Sequence, residues 1–471
     1  MTDNTKPISK SDAIFARAYA SAIKSKFEVA IGEIRYILTS PVTLRGMAAG
    51  DLVYPQITNF LIYKLADALQ HSDNPTFIGA SADSYLQQLR SYLEWVKTGT
   101  NPSSFIVASM NSARNAAINA NKNYSTILTQ GQVTWNKVKK SYPDLDFWKW
   151  ASAHFPTLSE ADKTRLAARK DLYAVMEQYF DSKTASTLSH YMDVIDNATN
   201  AQTPIIDMNQ KGLVNDQALI SKAIGIGNSG KQAPENDITQ STVQVPLYTI
   251  ENYASTVQGW ITAAKHNAPR DKIIKIEIHE GKDTTWEDLG FKQVYGGGGG
   301  EFWPFLHADV YVNNQWEEHV LKTENWEDAV SLRLAMIDLE TFNIQPGKWD
   351  IPDIKTQFPD RLPYSPDALG TKFVRVVSIL VGYDIELRVQ FVSKLRDQVD
   401  SIYEQVKSTR GRMSIFGFHV SAGLEGGTTT LDQVETRFED VKWDKSSGIM
   451  TLTPTKNQVY PTILGAVAQR F

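Results

Sequence analysis

The feature that most constrains this chain is a change of hydrophobic period near its middle. Up to about residue 200, apolar residues recur at spacings of three and four. After about residue 247 they alternate with polar ones. A period near 3.6 builds helices and a period of 2 builds half-buried strands, so the chain must pack two kinds of layer. The interval between them is polar, rich in Gly, Asn, Ser and Gln, and contains Gly225, Gly227, Gly230 and Pro234. The expected organisation is α+β. A helical domain over 1–210, containing a long helix, precedes a flexible linker over 211–246. A mainly antiparallel sheet or sandwich over 247–471 follows and carries an amphipathic helix. At 471 residues the chain has room for two or three such domains.

In the helical half, Ile14, Ala18, Phe27, Ile31 and Ile34 share one face, which predicts a helix over Ser11–Leu38 closed by Pro41. Tyr54–Leu69 and Ser81–Val96 read as two more helices, the last with Tyr85, Leu89, Tyr92 and Val96 on one stripe. Short connections between them suggest a bundle. Between 103 and 122, Asn111, Asn115 and Asn119 repeat every four residues, with Ala113, Ala116, Ala117 and Ala120 between them. This segment reads either as a helix with alanines inward and asparagines in water, or as a weakly amphipathic element that enters a membrane or an oligomer. Phe147, Trp148 and Trp150 form an aromatic knot expected to close one end of the bundle. From Leu158 to Asn200 the apolar pattern (Leu166, Leu172, Met176, Phe180, Leu188, Ile195) runs on without Gly or Pro. It predicts one long or kinked helix, with Ser159–Asp162 as its capping sequence.

In the β half, Ile274, Ile276 and Ile278 alternate with Lys275, Glu277 and His279. Leu306, Ala308 and Val310 alternate with His307, Asp309 and Tyr311. Residues 331–344 and 373–389 read as further strands. Asp444-Lys-Ser-Ser-Gly448 is a hairpin signal. Between the strand at 373–381 and another at 414–420, Val392, Leu395, Val399, Ile402 and Val406 mark an amphipathic helix, expected to cover a sheet holding both strands.

The charge balance excludes several classes. Net charge is −5 and no basic block occurs, so a nucleic-acid partner is not expected. The absence of cysteine removes disulfides, thiolate metal sites and a cysteine nucleophile. The N-terminus is polar and lacks a signal-peptide core, which predicts a protein cytoplasmic as made or released by a non-classical route.

Three stretches are candidates for chemistry. Gly225–Gln232 approaches a phosphate loop, but Gln232 stands where the Mg²⁺-binding hydroxyl belongs and Pro234 follows, so a linker is the expected reading and no cofactor is implied. If the strands carrying His279 and His307 pair, then His279, His307 and Asp309, with Glu277, would converge as a metal or acid–base site. The alternative is a solvent-facing polar strand surface. Tyr295 to Phe305 is the most unusual stretch. Gly296, Gly298 and Gly300 belong to a five-glycine run able to act as a hinge, and Tyr295, Phe302, Trp303 and Phe305 could meet a bilayer interface or a sugar.

A helical half with a low-charge Ala/Asn segment, beside a β half with Gly-flanked aromatics, resembles the general plan of soluble pore-forming toxins. That likeness implies a non-enzymatic binding or assembly protein that meets a membrane lipid or glycan surface and acts as a homo-oligomer. A self-assembling structural protein and a metal-dependent enzyme built on the His/Asp/Glu strand faces are the alternatives.

Overall fold

The computed structural model describes residues 10–27, 35–43, 62–63, 65–76, 84–97, 104–138, 141–142, 147–180, 182–198, 205–207, 242–244, 246–278, 284–292, 294, 306–308, 330–362, 365–421, 434–453 and 461–471. In chain order the elements are α1 (Lys10–Lys24), β1 (Arg35–Thr43), β2 (Gln70–His71), α2 (Tyr85–Glu94), α3 (Ser104–Val138), α4 (Phe147–His154), α5 (Pro156–Tyr179) and α6 (Ser182–Asp196). Next come β3 (Ile205–Asp207), β4 (Thr242–Gln244), β5 (Tyr248–Ile250), α7 (Tyr253–Lys265), β6 (Lys272–Ile276), β7 (Leu306–Ala308), β8 (Val330–Met336) and β9 (Asp338–Pro346). The chain ends with β10 (Phe373–Tyr383), β11 (Glu386–Phe391), α8 (Ser393–Ser408), β12 (Met413–Ile415), β13 (Phe418–Ser421), β14 (Val434–Arg437), β15 (Lys442–Asp444), β16 (Ile449–Leu452) and β17 (Pro461–Gln469). This is an α+β fold, helical toward the N-terminus and sheet-rich later.

By packing, the chain forms two units. One comprises 1–82, 249–345 and 371–471; the other comprises 83–248 and 346–370. Among the described residues, the first holds three sheets, ordered β1-β17-β10-β9-β5 with β2 on β10, β15-β16-β11-β8-β6, and β14-β13-β12-β7. Among the described strands of these sheets, pairing is antiparallel except between β13 and β14. The expected alternation is present in β6, where Ile274 and Ile276 are buried and Lys272 and Lys275 exposed.

Three local expectations are corrected in this unit. The first helix ends at Lys24 and residues 35–43 form a strand instead. Tyr36, Ile37 and Leu38 are fully buried against β17, and an apolar triplet satisfies a strand as well as a helical stripe. Pro41 lies inside β1, at the register shift between Thr39 and Val42. β1 is an edge strand with a bulge, the place in a sheet where a residue without an N–H costs least. Finally, β10 and β12 belong to different sheets. The helix between them, α8, buries Leu395, Val399, Ile402 and Val406 as its pattern requires. Its polar edge is tied to the β15–β16 hairpin: Trp443 Nε1 donates to Asp400 at 2.8 Å, and Lys445 bridges to the same carboxylate at 2.8 Å. The hairpin turn is closed by Asp444, whose carboxylate accepts from Ser446 and Ser447, and by Gly448 at φ +74°.

The second unit is built on α2–α6, with α3 as its long helix of 35 residues. Here the expected single helix from 158 to 200 is corrected to two. Tyr173 Oη donates to the carbonyl of Ser189, and Arg169 reaches Asp193, so residues whose numbers sum to the same value lie side by side. Only an antiparallel helical hairpin does this. Phe180 leaves the helix with an extended backbone (φ −96°, ψ 154°), and its burial against the unit sets the turn that no Gly or Pro announces. α5 starts with Pro156 in its first turn, earlier than Ser159. The aromatic knot is a core cluster: Trp135, Phe147, Trp150, Ala151 and Leu158 pack together. Along α3, Ala120 is buried while Asn115, Asn119 and Asn123 face solvent, and Asn111 accepts from Arg114. Among the described residues, no helix is long and apolar enough to cross a membrane.

Candidate functional site

The helical unit carries a half-open pocket of about 500 Å³ between α2, α3, α5 and α6. A cavity of this size holds a small organic molecule. Its lining mixes apolar and charged side chains on each of the helices. Leu93, Ile118, Leu172, Met192 and Ile195 are its apolar residues, with Ala117 leaving room. Arg90, Lys122, Arg165, Arg169, Glu94 and Asp196 are its charged ones.

The charged lining follows from where helical spacing places α5's residues. Leu158, Ala161, Arg165, Arg169, Leu172, Met176 and Phe180 are all buried and recur at three or four. Two arginines therefore sit inside an otherwise apolar stripe, and each must be neutralised. Arg165 is 8% exposed and holds Asp162 with both Nε (2.9 Å) and Nη2 (2.7 Å), while its guanidinium lies over the Tyr124 ring at 4.8 Å. Arg169 is 7% exposed and reaches across the hairpin to Asp193 at 2.9 Å and to Asp196. The other oxygen of Asp196 takes Arg90 from α2 at 2.8 Å. The resulting chain Arg90–Asp196–Arg169–Asp193 ties three helices through charge-assisted bonds and fixes the cavity wall.

Glu94 differs from its neighbours. Among the described residues it makes no hydrogen bond and no ion pair within 4.0 Å. Burial pushes its carboxyl up to about 7; Arg90 and Arg114 pull it down and Asp196 pushes it further up. One turn below the cavity on α3, Arg114 is 3% exposed, stacks on Trp95 at 4.8 Å, and keeps a buried Nε without a partner. Burial lowers it to about 10, against the raising effect of Glu94. The site thus holds an unpaired, half-neutral carboxyl at physiological pH beside fixed guanidinium groups.

Of the site residues singled out from sequence, Glu277 and His307 are described, and neither lines this pocket. Glu277 is exposed just past β6, whose partner is β8; His307 stands in β7 opposite Ser414 of β12, in another sheet. His279 and Asp309 lie outside the described residues, as do Tyr295, Phe302, Trp303, Phe305, Gly296, Gly298, Gly300 and the Gly225–Gln232 loop. Among the described residues, no three His, Asp or Glu side chains are grouped to hold a metal ion. Sequence reasoning missed the cavity. The available signal was the pair Arg165 and Arg169 in phase with Leu158, Ala161, Leu172 and Met176, with Leu166, 45% exposed, out of phase.

Comparison of the chain with protein-family models, with curated proteins and with solved structures gave no match.

Proposed function

We propose that this chain is a non-enzymatic binding protein whose helical unit holds a small amphiphile with an anionic head. The observation that carries the reading is a pocket lined both by apolar side chains and by cations held in place. Leu93, Ile118, Leu172, Met192 and Ile195 line it together with Arg90, Arg165 and Arg169, each paired with an aspartate, and with Lys122, which has no ion pair among the described residues. Arg90, Arg165 and Arg169 are already held by carboxylates, so they are preorganised and spend little entropy on binding. Lys122 carries the charge that no carboxylate of the cavity answers. Glu94 has no hydrogen-bonded nucleophile or second acid–base group, which favours binding over catalysis. Calorimetric titration of the full chain with decanoate tests this. One saturable site is expected, strongly weakened in Ala117→Trp, which puts an indole into the pocket lining, and weakened about 5–10-fold in Lys122→Gln. Decanoate binding that ignores both variants would sink the reading.

A second reading places the protein on a membrane lipid or glycan surface, as a soluble, pore-forming-toxin-like homo-oligomer. What favours it is α3: Arg114, Lys122 and Lys137 are its only charges, it has no acidic residue, and it exposes Phe105 (78%) and Val133 (50%). A cationic helix with exposed apolar side chains suits an interfacial position. Dye release from anionic liposomes, with sedimentation of bound protein, is the expected result. Sealed liposomes with all protein in the supernatant would refute it.

A further inference from the structure

The register of the sheet β15-β16-β11-β8-β6 brings together residues that are far apart in sequence. Lys275 of β6 stands opposite Arg333 of β8, Arg333 opposite Arg388 of β11, Arg388 opposite Thr451 of β16, and Thr451 opposite Lys442 of β15. Four cations and a threonine therefore form one row across five strands. At about 4.8 Å per strand the row is about 19 Å long. Its side chains lie on the solvent face: Lys275, Arg388 and Lys442 are exposed and Arg333 half-buried. The alternate residues, Ile274, Leu334, Leu387, Val389, Met450 and Leu452, are buried on the other face. Among the described residues, none of the four cations has an ion pair or hydrogen bond, and the Arg333 Nε is shut from solvent without a partner.

Like charges directly opposite one another weaken a sheet. The row also runs against the chain's net charge of −5. A groove of about 420 Å³ takes in Lys275, Arg333 and Arg388, and the flanking row adds Ser331, Gln390 and Glu277.

We propose that this row binds an acidic polysaccharide, a linear glycan bearing carboxylate or sulfate groups, laid across the strands. The cations run in single file, three of them along a groove, which fits one chain better than the plane of a bilayer. The flanking hydroxyl and amide of Ser331 and Gln390 suit sugar hydroxyls. The aromatic neighbours Phe391 and Trp443 belong to the alternate, inward set, so the row lacks the stacking platform that single-stranded nucleic acid uses. The proposal is independent of the helical cavity.

The test uses the full chain and fluorescence anisotropy with a labelled heparin octasaccharide as the polyanion probe, at low and at physiological salt. Wild type should bind with a strong salt dependence. The double variant Arg333→Gln/Arg388→Gln should bind at least about 10-fold more weakly with a shallower salt slope. Arg388→Lys, which keeps the charge, should stay within about threefold of wild type. The exposed Lys442→Gln, which disturbs no packing, should lose about two- to fivefold. Absence of binding at low salt, or binding indifferent to these variants, would overturn the proposal. So would a labelled oligothymidylate or vesicles of phosphatidylcholine and phosphatidylserine that bind more tightly than heparin and lose that binding in the double variant.

Discussion

Replacing Glu94 by Gln should stabilise the helical unit above neutral pH and do little below pH 5. Glu94 is pushed from an ordinary 4.5 to about 7, mainly by burial. A carboxyl whose folded value is raised favours folding while it is protonated. Its contribution is fully present below about 4.5 and is lost as pH rises through about 7, because the folded state must then hold an unpaired buried carboxylate. At 1.36 kcal/mol per pH unit, the gap costs about 3 kcal/mol once the group is ionised. Gln matches the protonated side chain in size and hydrogen-bonding capacity and never ionises. At pH 8 the variant should therefore gain up to about 3 kcal/mol. For a unit of this size that is a rise of about 6–12 °C in its melting transition. At pH 4.5 the two proteins should melt within about a degree or two of each other. The assay is circular dichroism melting of both proteins at half-unit pH steps from 4.5 to 8. Curves that stay parallel across the range, or a variant less stable at pH 8, would refute the assignment of Glu94 as the strained titrating group.

Other outcomes follow from the same geometry. Decanoate should bind more tightly at pH 6 than at pH 8, since neutral Glu94 no longer repels a carboxylate, and Glu94→Gln should flatten that dependence; calorimetry at both pH values decides it. Arg169→Met, which removes the centre of the Arg90–Asp196–Arg169–Asp193 chain, leaves Asp196 to Arg90 alone and should cost about 2–3 kcal/mol by denaturant unfolding. Gly448→Ala should cost more than about 2 kcal/mol, because φ is +74° and a Cβ would stand 2.4 Å from the Phe391 carbonyl oxygen; an unchanged denaturation midpoint would contradict it. If residues 211–246 are a linker between separately folded halves, cutting a protease site inserted there should release them. The antiparallel β1–β17 pairing predicts instead that fragments 1–210 and 247–471 co-elute on gel filtration until denaturant is added.

Much of the fold is legible in the sequence where burial and period agree. α8 follows the stripe Leu395, Val399, Ile402, Val406, and β6 follows Ile274 and Ile276, because each buries one face and exposes the other. Legibility fails where the local signal fits two answers. Tyr36-Ile37-Leu38 continues the phase of α1, yet β17 supplies partners that only a strand can use. The turn at Phe180 carries no Gly or Pro because a buried aromatic, a tertiary cause, sets it. The candidate sites are less legible still. Arg165 and Arg169 look like a solvated face until Asp196, 27 residues after Arg169, is seen to meet Arg169 across a hairpin, with Arg165 held by Asp162. Alternation places Lys275, Arg333 and Arg388 on solvent faces, but only the register aligns them.

The most direct test of the helical unit as a ligand carrier is to see the ligand there. Crystals of the full chain soaked with 4-bromobenzoate should show an anomalous bromine peak against Leu172, Met192 and Ile195, with the carboxylate toward Lys122 and Arg165. Bromine density only at other positions, with this cavity unoccupied at a saturating concentration, would contradict the account.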